Sequence, residues 1–460
     1  MTRRPRTTAL TAMITDAAAG PIGETRGPRP SGAARAARHG DGQRALDVVL
    51  YGATGFVGRQ TVAYFAEHAH GLRWALAGRS AERLERVREQ AGPGAAQAAI
   101  VVADADDAPA LDALAARTRV VLSTAGPFAR HGDALVDACV AHGTHYVDIT
   151  GETPWVRRLI DRHHARAAAD GTRIVPCCGF DSVPSDLGAW LVAHALRDGH
   201  GEACVEVKAR FSLRGGVNGG TLASALGIFD AGDEDAFDEP FLLSPQDAVP
   251  ADADRHLDPR WPRRDADFGG WIGPFFMGPV NTRVVRRSAA LLAAAGDEAY
   301  APGFAYQEWL KLGRGPLAAA AGGAMAVGAG AARVGLAAPS IRGLARRLLP
   351  APGEGPSERA MDEGRFRCEL VARGERGTIL RGRVAGRGDP GNRATTVFVC
   401  EAALALATNA DAPARSGALP ASAGGVLTPA TALGAPYARR LVDAGMDIRP
   451  LPGDEGSWAY

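Results

Sequence analysis

Residues 48–58 read VVLYGATGFVG, an apolar run that leads into Gly52, Gly55 and Gly58, spaced three residues apart. Glycines at a turn from a strand to a helix let the backbone reverse tightly and approach a pyrophosphate, whose charge is met by the amides at the start of the helix. Such a string is weak evidence by itself, because glycines also serve turns that only pack closely. Its surroundings in the chain therefore decide whether it binds a nucleotide.

Short apolar runs alternate with helix-like segments from Leu46 onward, at the spacing of strands joined by helices. The predicted strands are LDVVLY (46–51), LRWALAG (72–78), AAIVVAD (98–104), RVVLSTAG (119–126), HYVDITG (145–151) and TRIVPCCG (172–179). This alternation predicts right-handed crossovers and an α/β fold with a Rossmann-type, doubly wound parallel sheet. The glycine turn ends the first strand of that unit, so we predict an NADP-binding Rossmann domain over 46–185.

The end of the second strand selects the dinucleotide. A carboxylate there binds the ribose 2′-hydroxyl of NAD(H), whereas an arginine accepts the 2′-phosphate of NADP(H). Arg79 and Ser80 stand there, which favours NADP(H); a solvated surface arginine is the alternative. Asp104 is predicted to hold the adenine amino group, and residues 123–127 to line the pyrophosphate and nicotinamide. The predicted cofactor residues are Gly52, Ala53, Thr54, Gly55, Phe56, Val57, Gly58, Arg79, Ser80, Asp104, Ser123, Thr124, Ala125, Gly126 and Pro127.

The pattern changes near residue 185. CVEVKARFS (204–212) alternates apolar and charged residues, which is typical of a sheet covered on one face only. RFRCELVAR and GTILRGRVAG predict further strands, and Thr428 before Pro429 marks a helix start. The predicted organisation is a disordered tail over 1–45, the Rossmann domain over 46–185, a substrate-binding α+β domain over 186–400, and a C-terminal segment over 401–460 that packs back on the Rossmann domain.

Composition indicates which kinds of partner the protein binds and in which compartment it works. The 460 residues carry a formal net charge of +1, so no overall field attracts nucleic acid, and a small partner is expected. Six cysteines in so long a chain do not form a disulfide framework, which favours a reducing, cytoplasmic location. The uncharged stretch 315–332 allows three interpretations: a buried helix, a helix that faces a membrane surface or an acyl chain, or a helix that spans the membrane.

The sequence excludes several chemistries. Lysine occurs only at Lys208 and Lys311, so there is no Tyr-x-x-x-Lys pair and no obvious Schiff-base lysine, and no P-loop motif is present. We assign Cys139, His142 and His145 to the end of a helix and the start of a strand rather than to a metal site.

Polar clusters follow the fifth and sixth strands, where ligands bind in such sheets. DITGE (148–152) and CCGFDSVPSD (177–186) supply the predicted catalytic residues Glu152, Asp181 and Ser182. Asp186 is a further candidate, and helix capping by Ser185 or Ser182 around Pro184 is the structural alternative. RGGVNGGT (214–221) is predicted either to wrap a substrate carbonyl or to form a plain hairpin or helix cap.

Several motifs occur together in a fixed order: LYGATGFVG, LAGRS, TAGPF, GTHYVDITGE, CGFDSVPSDLG, NGGT and GDPG. With them, over roughly residues 46–450, the chain resembles the saccharopine dehydrogenase-like oxidoreductases, and most closely the trans-acting enoyl reductases of lipid biosynthesis. The resemblance implies NADPH-dependent reduction of a carbon–carbon double bond on an acyl chain carried by a separate polyketide synthase. His131 and Asn392 depart from the family pattern, which has tyrosine at both positions, and this bears on the substrate more than on the cofactor.

Three functions follow as alternatives. The first is an NADPH-dependent enoyl reductase acting on polyketide or fatty-acyl intermediates, cytoplasmic and peripheral to the plasma membrane. The second is a saccharopine-type amino-acid or imine dehydrogenase, for which Arg210 and Arg214 would bind substrate carboxylates. The third is a non-catalytic NADP(H) sensor, because no proton donor is evident from the sequence.

Overall fold

The computed structural model of the chain describes residues 44–216, 218–351, 353–408, 419 and 423–451. Residues 1–43 of the predicted N-terminal tail lie outside this part. Arg44 belongs to the same predicted tail, yet its guanidinium donates hydrogen bonds to the carbonyl oxygens of Ala115 and His142. The packed structure therefore includes Arg44, just before the first strand.

The strands and helices alternate along the first part of the chain and then become irregular. The strands are β1 (Leu46–Tyr51), β2 (Trp74–Gly78), β3 (Ala99–Val102), β4 (Thr118–Ser123), β5 (His145–Asp148), β6 (Arg173–Val175), β7 (Cys204–Arg214), β8 (Arg263–Asp265), β9 (Gly270–Pro274), β10 (Tyr300–Gly313), β11 (Arg365–Gly374), β12 (Ile379–Arg387), β13 (Gly425–Val426) and β14 (Asp447–Leu451). The helices are α1 (Phe56–His68), α2 (Ala81–Gln90), α3 (Ala108–Ala116), α4 (Phe128–His131), α5 (Asp133–His142), α6 (Thr153–Asp170), α7 (Val183–His200), α8 (Gly219–Ala231), α9 (Gly278–Ala294), α10 (Pro316–Leu336), α11 (Pro339–Leu348), α12 (Glu358–Asp362), α13 (Thr395–Thr408) and α14 (Pro429–Asp443).

The first sheet is parallel throughout and has the order β13-β6-β5-β4-β1-β2-β3. Every residue of β1 is buried, because helices cover both faces of the sheet. The strand order reverses at the β1/β4 pair, since β2 and β3 follow β1 on one side and β5 and β6 follow β4 on the other. Such a reversal creates a switch point, where ligands bind in sheets of this type. The Rossmann-type fold and its predicted strands are confirmed.

The second sheet is mixed, with the order β14-β12-β11-β7-β10-β9-β8. β7 pairs in parallel with β10 and antiparallel with β11, and the outer pairs are antiparallel. This is the predicted α+β second part of the fold.

The face of β7 that was predicted to meet solvent is also covered. Val207 and Phe211 are buried on one face, but Lys208 and Arg210 on the other face are buried too. Lys208 Nζ lies 2.8 Å from Asp265 Oδ2, and Arg210 Nε donates to Glu369 at 2.8 Å. The prediction of a sheet covered on one face was wrong, because carboxylates from distant strands neutralise the charges that burial would otherwise penalise.

The C-terminal segment is shared between the two sheets. β13 pairs with β6 in the first sheet, whereas β14 pairs with β12 in the second. Helix α13 packs on the first sheet, so the predicted boundary at 400/401 falls inside it. Thr428 caps α14 by accepting the Thr431 N–H, as its place before Pro429 predicts.

Helix α10 lies on the surface of the fold. Among the described residues it is the one helix long and apolar enough to cross a membrane by length and composition. Only Ala318 and Gly322 of its residues are buried. Of the three readings for the uncharged stretch, a fully buried helix is therefore wrong.

Candidate active site

The glycine turn brings three backbone segments into close contact. Gly52 has a φ of +82°, a left-handed conformation that favours glycine, and a Cβ there would lie 2.9 Å from the Ala125 nitrogen. A Cβ at Gly58 would lie 2.2 Å from the Gly52 carbonyl oxygen. No acidic residue stands in the first turn of α1, whose amides point out of the turn. The turn thus fits a pyrophosphate, with the α1 amides as donors.

A cavity of about 1830 Å³ opens at this turn and extends between the two sheets. The carboxyl ends of β1 to β4 form one end of it, as expected at a switch point. The predicted cofactor residues that line it are Gly52, Thr54, Gly55, Phe56, Val57, Arg79, Asp104, Thr124, Ala125 and Gly126.

The other predicted cofactor residues lie behind the cavity wall. These are Ala53, Gly58, Ser80, Ser123 and Pro127. Ser80 caps α2 by accepting the Arg83 N–H at 3.3 Å, and Ser123 Oγ accepts the Ala125 N–H at 3.4 Å. The structure gives these residues a supporting role, and direct contact with the cofactor stays a prediction for them.

Arginines surround the end of β2. Arg79 is exposed at the cavity wall, and no carboxylate pairs with it among the residues that the structure describes. Arg59, Arg83 and Arg86 also line the cavity and were missed by the sequence reasoning. Arg83 follows Arg79 by four residues at the start of a helix, a spacing that could have identified it. This cluster fits the 2′-phosphate of NADP(H) better than the free hydroxyl of NAD(H).

Glu152 holds the loop that follows β4. Its two carboxylate oxygens accept the backbone N–H groups of Phe128 at 2.9 Å and Ala129 at 2.8 Å. Both oxygens are engaged at the start of α4, directly after the predicted nicotinamide-side loop 123–127. These contacts give Glu152 a positioning role at the cavity wall, and its predicted catalytic role stays a prediction.

Asp148 ties together the loops after β5 and β6, a role that the sequence reasoning missed. Its carboxylate accepts the N–H groups of Thr150 and Cys177 and the Tyr146 hydroxyl, each at 3.0 Å. Burial raises the pKa of Asp148 to about 7, although these three hydrogen bonds act in the opposite direction and lower it. This carboxyl therefore fixes the two loops that carry Glu152 and Asp181.

Two carboxyls line the cavity, the half-buried Asp181 and the fully buried Glu308. Asp181 has no hydrogen-bond or ion-pair partner in the described part of the chain, and a Cβ at Gly151 would lie 3.8 Å from its Oδ2. Burial raises the pKa of Asp181 to about 6. Such a group can hold a proton near neutral pH and release it into the cavity.

Glu308 comes from β10 of the second sheet, and no local sequence pattern marks it. Oε1 accepts the hydroxyls of Ser185 at 2.6 Å and Tyr306 at 3.0 Å, and Oε2 accepts Asn281 Nδ2 at 3.0 Å. Burial raises the pKa of Glu308 to about 8, and these three donors only partly offset it. Glu308 is thus a second cavity carboxyl whose pKa burial raises, and neutral donors hold it in place.

Ser182 and Asp186 lie away from the cavity. Ser182 is fully buried, and its hydroxyl donates to Asn281 Oδ1 at 3.2 Å. Asp186 accepts the Ala430 N–H at 2.8 Å and the Ser288 hydroxyl, which joins α7 to α14. Ser182 therefore does not face the reacting space, and its predicted catalytic role is not supported.

The far end of the cavity is largely apolar. Side chains from α8, α9, α10 and the β9–α9 turn line it, including Leu222, Ile228, Phe275, Met277, Val280 and Met325. Asn218, in the glycine-rich stretch RGGVNGGT, caps α8 by accepting the Thr221 N–H at 3.0 Å, so the helix-cap reading is confirmed.

The two departures from the family pattern have different places. His131 lines the cavity, whereas Asn392 is buried and accepts a 2.7 Å hydrogen bond from Asn218 Nδ2. Asn392 therefore supports the α8 cap, and only His131 is placed to affect what the cavity accepts.

The arginines proposed for a dicarboxylate substrate are engaged elsewhere. Arg210 is buried against Glu369 and also donates to the Phe268 carbonyl at 2.9 Å, and Arg214 pairs with Glu363 at 3.2 Å. Neither lines the cavity. The residues that a saccharopine-type site required are thus not brought together.

The chain is similar to several known proteins. Residues 48–175 match the family model of the saccharopine dehydrogenase NADP binding domain. A provisionally named trans-acting enoyl reductase of Mycobacterium tuberculosis is 42% identical over 429 residues, covering 88% of this chain and 97% of the relative. The trans-acting enoyl reductase of Mycobacterium ulcerans is 38% identical over 422 residues, covering 88% of this chain and 98% of the relative. Apo saccharopine dehydrogenase (L-Glu forming) of Saccharomyces cerevisiae aligns with a TM-score of 0.48 at 13% identity, covering 88% of this chain and 99% of that one.

The identity and coverage of the mycobacterial relatives extend over both sheets, and the family model covers the glycine turn and the strands around it. The chain therefore belongs to the trans-acting enoyl reductase family of saccharopine dehydrogenase-like proteins, and it is an NADP(H)-dependent oxidoreductase.

Proposed function

We propose that this protein reduces the carbon–carbon double bond of an acyl group that another protein carries, with a polyketide synthase as the partner. The observation that carries the proposal is the cavity, which runs from the glycine turn to an end lined mainly by apolar side chains. The trans-acting enoyl reductase name of its mycobacterial relatives supports the same reaction. A reducing, cytoplasmic location is part of the proposal, since all six cysteines are free and buried.

The cavity has the dimensions and lining of an acyl site. Its volume of about 1830 Å³ exceeds that of a typical small-molecule site, about 300 to 1,000 Å³, so it has room for a dinucleotide and a chain together. Gly126, in the loop after β4, lies against α8, because a Cβ there would be 3.6 Å from Ser224 Oγ. The apolar wall thus begins directly beside the nucleotide half.

The two halves of the reaction need different groups. Bound NADPH supplies the hydride for the β-carbon. Asp181 is the group that we assign to protonate the α-carbon, because its carboxyl faces the cavity beside Gly151 and Met277 with no partner among the described residues. Glu152 and Asp148 position the flanking loops, and apolar residues such as Phe275 and Met277 exclude water.

The test follows NADPH absorbance with a 2-enoyl thioester as substrate. We expect turnover by the parent protein, and a decrease of at least about 100-fold in kcat for Asp181→Asn with NADPH affinity unchanged. The kcat/KM of the parent should fall as pH rises above about 6, where Asp181 loses its proton, and the variant should lack this dependence. Asp112→Asn is the matched control, because Asp112 is an exposed carboxylate on α3 that pairs with His142.

The rival functions give different results in the same assay. Oxidation of saccharopine, without reduction of the enoyl thioester, would support the amino-acid dehydrogenase. Tight NADPH binding without turnover of either substrate would support the sensor. Equal kcat values for the parent and Asp181→Asn would refute the assignment of the proton donor alone.

A further inference from the structure

Helices α10 and α11 form an arm, residues 316–348, that exposes apolar side chains to solvent. Leu317 is 84% exposed, Leu348 is 76% exposed and Val327 is 61% exposed. Ile341 and Leu344 of α11 are exposed as well. Isolated exposed leucines are ordinary on protein surfaces. Helix α10, however, is about 32 Å long, and residues 315–332 carry no charge, so its exposed apolar side chains form an unusual surface.

The arm is held against the protein along its length. Ala318 and Gly322 are buried, and a Cβ at Gly322 would lie 2.4 Å from Leu312 Cδ1. Arg333 pairs with Asp238 at 2.8 Å, and Arg342 pairs with Asp230 at 2.8 Å. These contacts keep α10 lying along the surface, which excludes a spanning orientation without dismantling them.

The charges of the arm are all of one sign. From Lys311 to Gly353 the sequence carries six basic residues and no acidic one. Acidic residues outside this stretch pair with Arg333, Arg342 and Arg346. Arg347 stands next to the exposed Leu348 and has no partner within the described ranges. Apolar side chains beside an unneutralised cation are typical of surfaces that bind the interface of an anionic bilayer.

The inner side of the same helix forms a wall of the cavity. Met325, Ala329 and Gly330 line the cavity, whereas Val327 and Leu317 are exposed to solvent and do not line it. A single helix therefore separates the apolar cavity from the exposed apolar surface.

We propose that the arm docks this protein onto the surface of an anionic lipid bilayer, with Leu317, Val327 and Leu348 inserted at the headgroup boundary and Arg347 at the phosphates. A second copy of the chain is a poorer occupant. A symmetric contact would face each arm with another that carries arginines and no acidic residue. Docking does not depend on the reaction proposed above, because its evidence is the outer side of the arm alone.

The experiment is flotation of the full-length protein with vesicles of phosphatidylcholine alone, or with phosphatidylglycerol added. We expect the parent to float with the anionic vesicles, and added salt to weaken this binding. Val327→Asp combined with Leu348→Asp should reduce the bound fraction at least about tenfold. Arg347→Gln should reduce binding to anionic vesicles about fivefold and leave binding to neutral vesicles unchanged.

The matched control is Val102→Asp combined with Ile379→Asp, since these side chains are 54% and 50% exposed at sites remote from the arm in sequence. The control should float as the parent does, and all variants should keep NADPH binding, which shows that they are folded. Failure of the parent to float with either vesicle would overturn the proposal. An equal loss in the control would overturn it as well. A dimer of the parent in light scattering that Val327→Asp/Leu348→Asp dissociates, without vesicle binding, would assign the arm to a second copy instead.

Discussion

Replacing Glu308 by glutamine should make the protein less sensitive to rising pH. Glu308 is fully buried among the Ser185, Tyr306 and Asn281 donors, and burial raises its pKa to about 8 from an ordinary value of 4.5. Between these values the unfolded chain releases the proton while the folded protein keeps it. Stability from this group is complete below about pH 4.5 and is lost as pH rises towards 8.

The magnitude follows from linkage. One carboxyl that stays protonated only in the folded state removes about 1.4 kcal/mol of stability per pH unit. The free energy of unfolding of Glu308→Gln minus that of the parent should therefore increase by about 4 kcal/mol between pH 5 and 8. A constant offset from altered packing does not affect this change. Asp148 and Asp186 contribute equally to both proteins, so their titrations cancel.

Urea unfolding of both proteins at a series of pH values measures this difference. Glu375→Gln is the control, because Glu375 is an exposed glutamate in the turn between β11 and β12 and should follow the parent at every pH. Parallel curves for the parent and Glu308→Gln would show that Glu308 is ionised in the folded protein already at pH 5. That result would refute the argument from burial.

Three further changes test other parts of the structure. Arg79→Ala should weaken NADPH binding about 10- to 100-fold in a fluorescence titration and leave NADH binding unchanged, because only NADPH carries the 2′-phosphate. Equal losses of NADPH and NADH affinity would contradict the assignment of Arg79 to the 2′-phosphate. Gly58→Ala should abolish binding of both cofactors, since its Cβ would lie 2.2 Å from the Gly52 carbonyl oxygen, and retained affinity would show that the turn relaxes. Glu369→Gln should lower the free energy of unfolding by about 3 kcal/mol in urea denaturation, because it leaves the buried Arg210 charge uncompensated. A decrease below about 1 kcal/mol would show that the Arg210–Glu369 ion pair is solvated.

Much of the fold could be predicted from local patterns. The buried strands of the first sheet are short apolar runs bounded by turn residues, and the glycine turn lies where the first of them ends. The cap at Thr428 was equally local, because its hydroxyl accepts an N–H only three residues away. Arg79 could be placed at the cavity from the sequence because it comes directly after β2, whose carboxyl end opens there.

The remaining site residues depended on contacts between distant segments. Nothing near Glu308 in the sequence indicates that β10 brings it to a cavity whose other end is formed by the first sheet. Glu152 stood in a motif that suggested catalysis, and only the folded loop shows that two backbone amides occupy its oxygens. Ser182 likewise lies one residue from Asp181 but faces Asn281 rather than the cavity.

Local sequence patterns were enough to predict the parallel sheet, the nucleotide turn and the preference for NADP(H), because these depend on periodicity and on residues a few positions apart. The folded chain was needed to show which carboxyls line the cavity, which charges on β7 are buried, and that α10 lines the cavity while exposing apolar side chains to solvent. The physical reason is that desolvation and ion pairing depend on neighbours brought together from far along the chain.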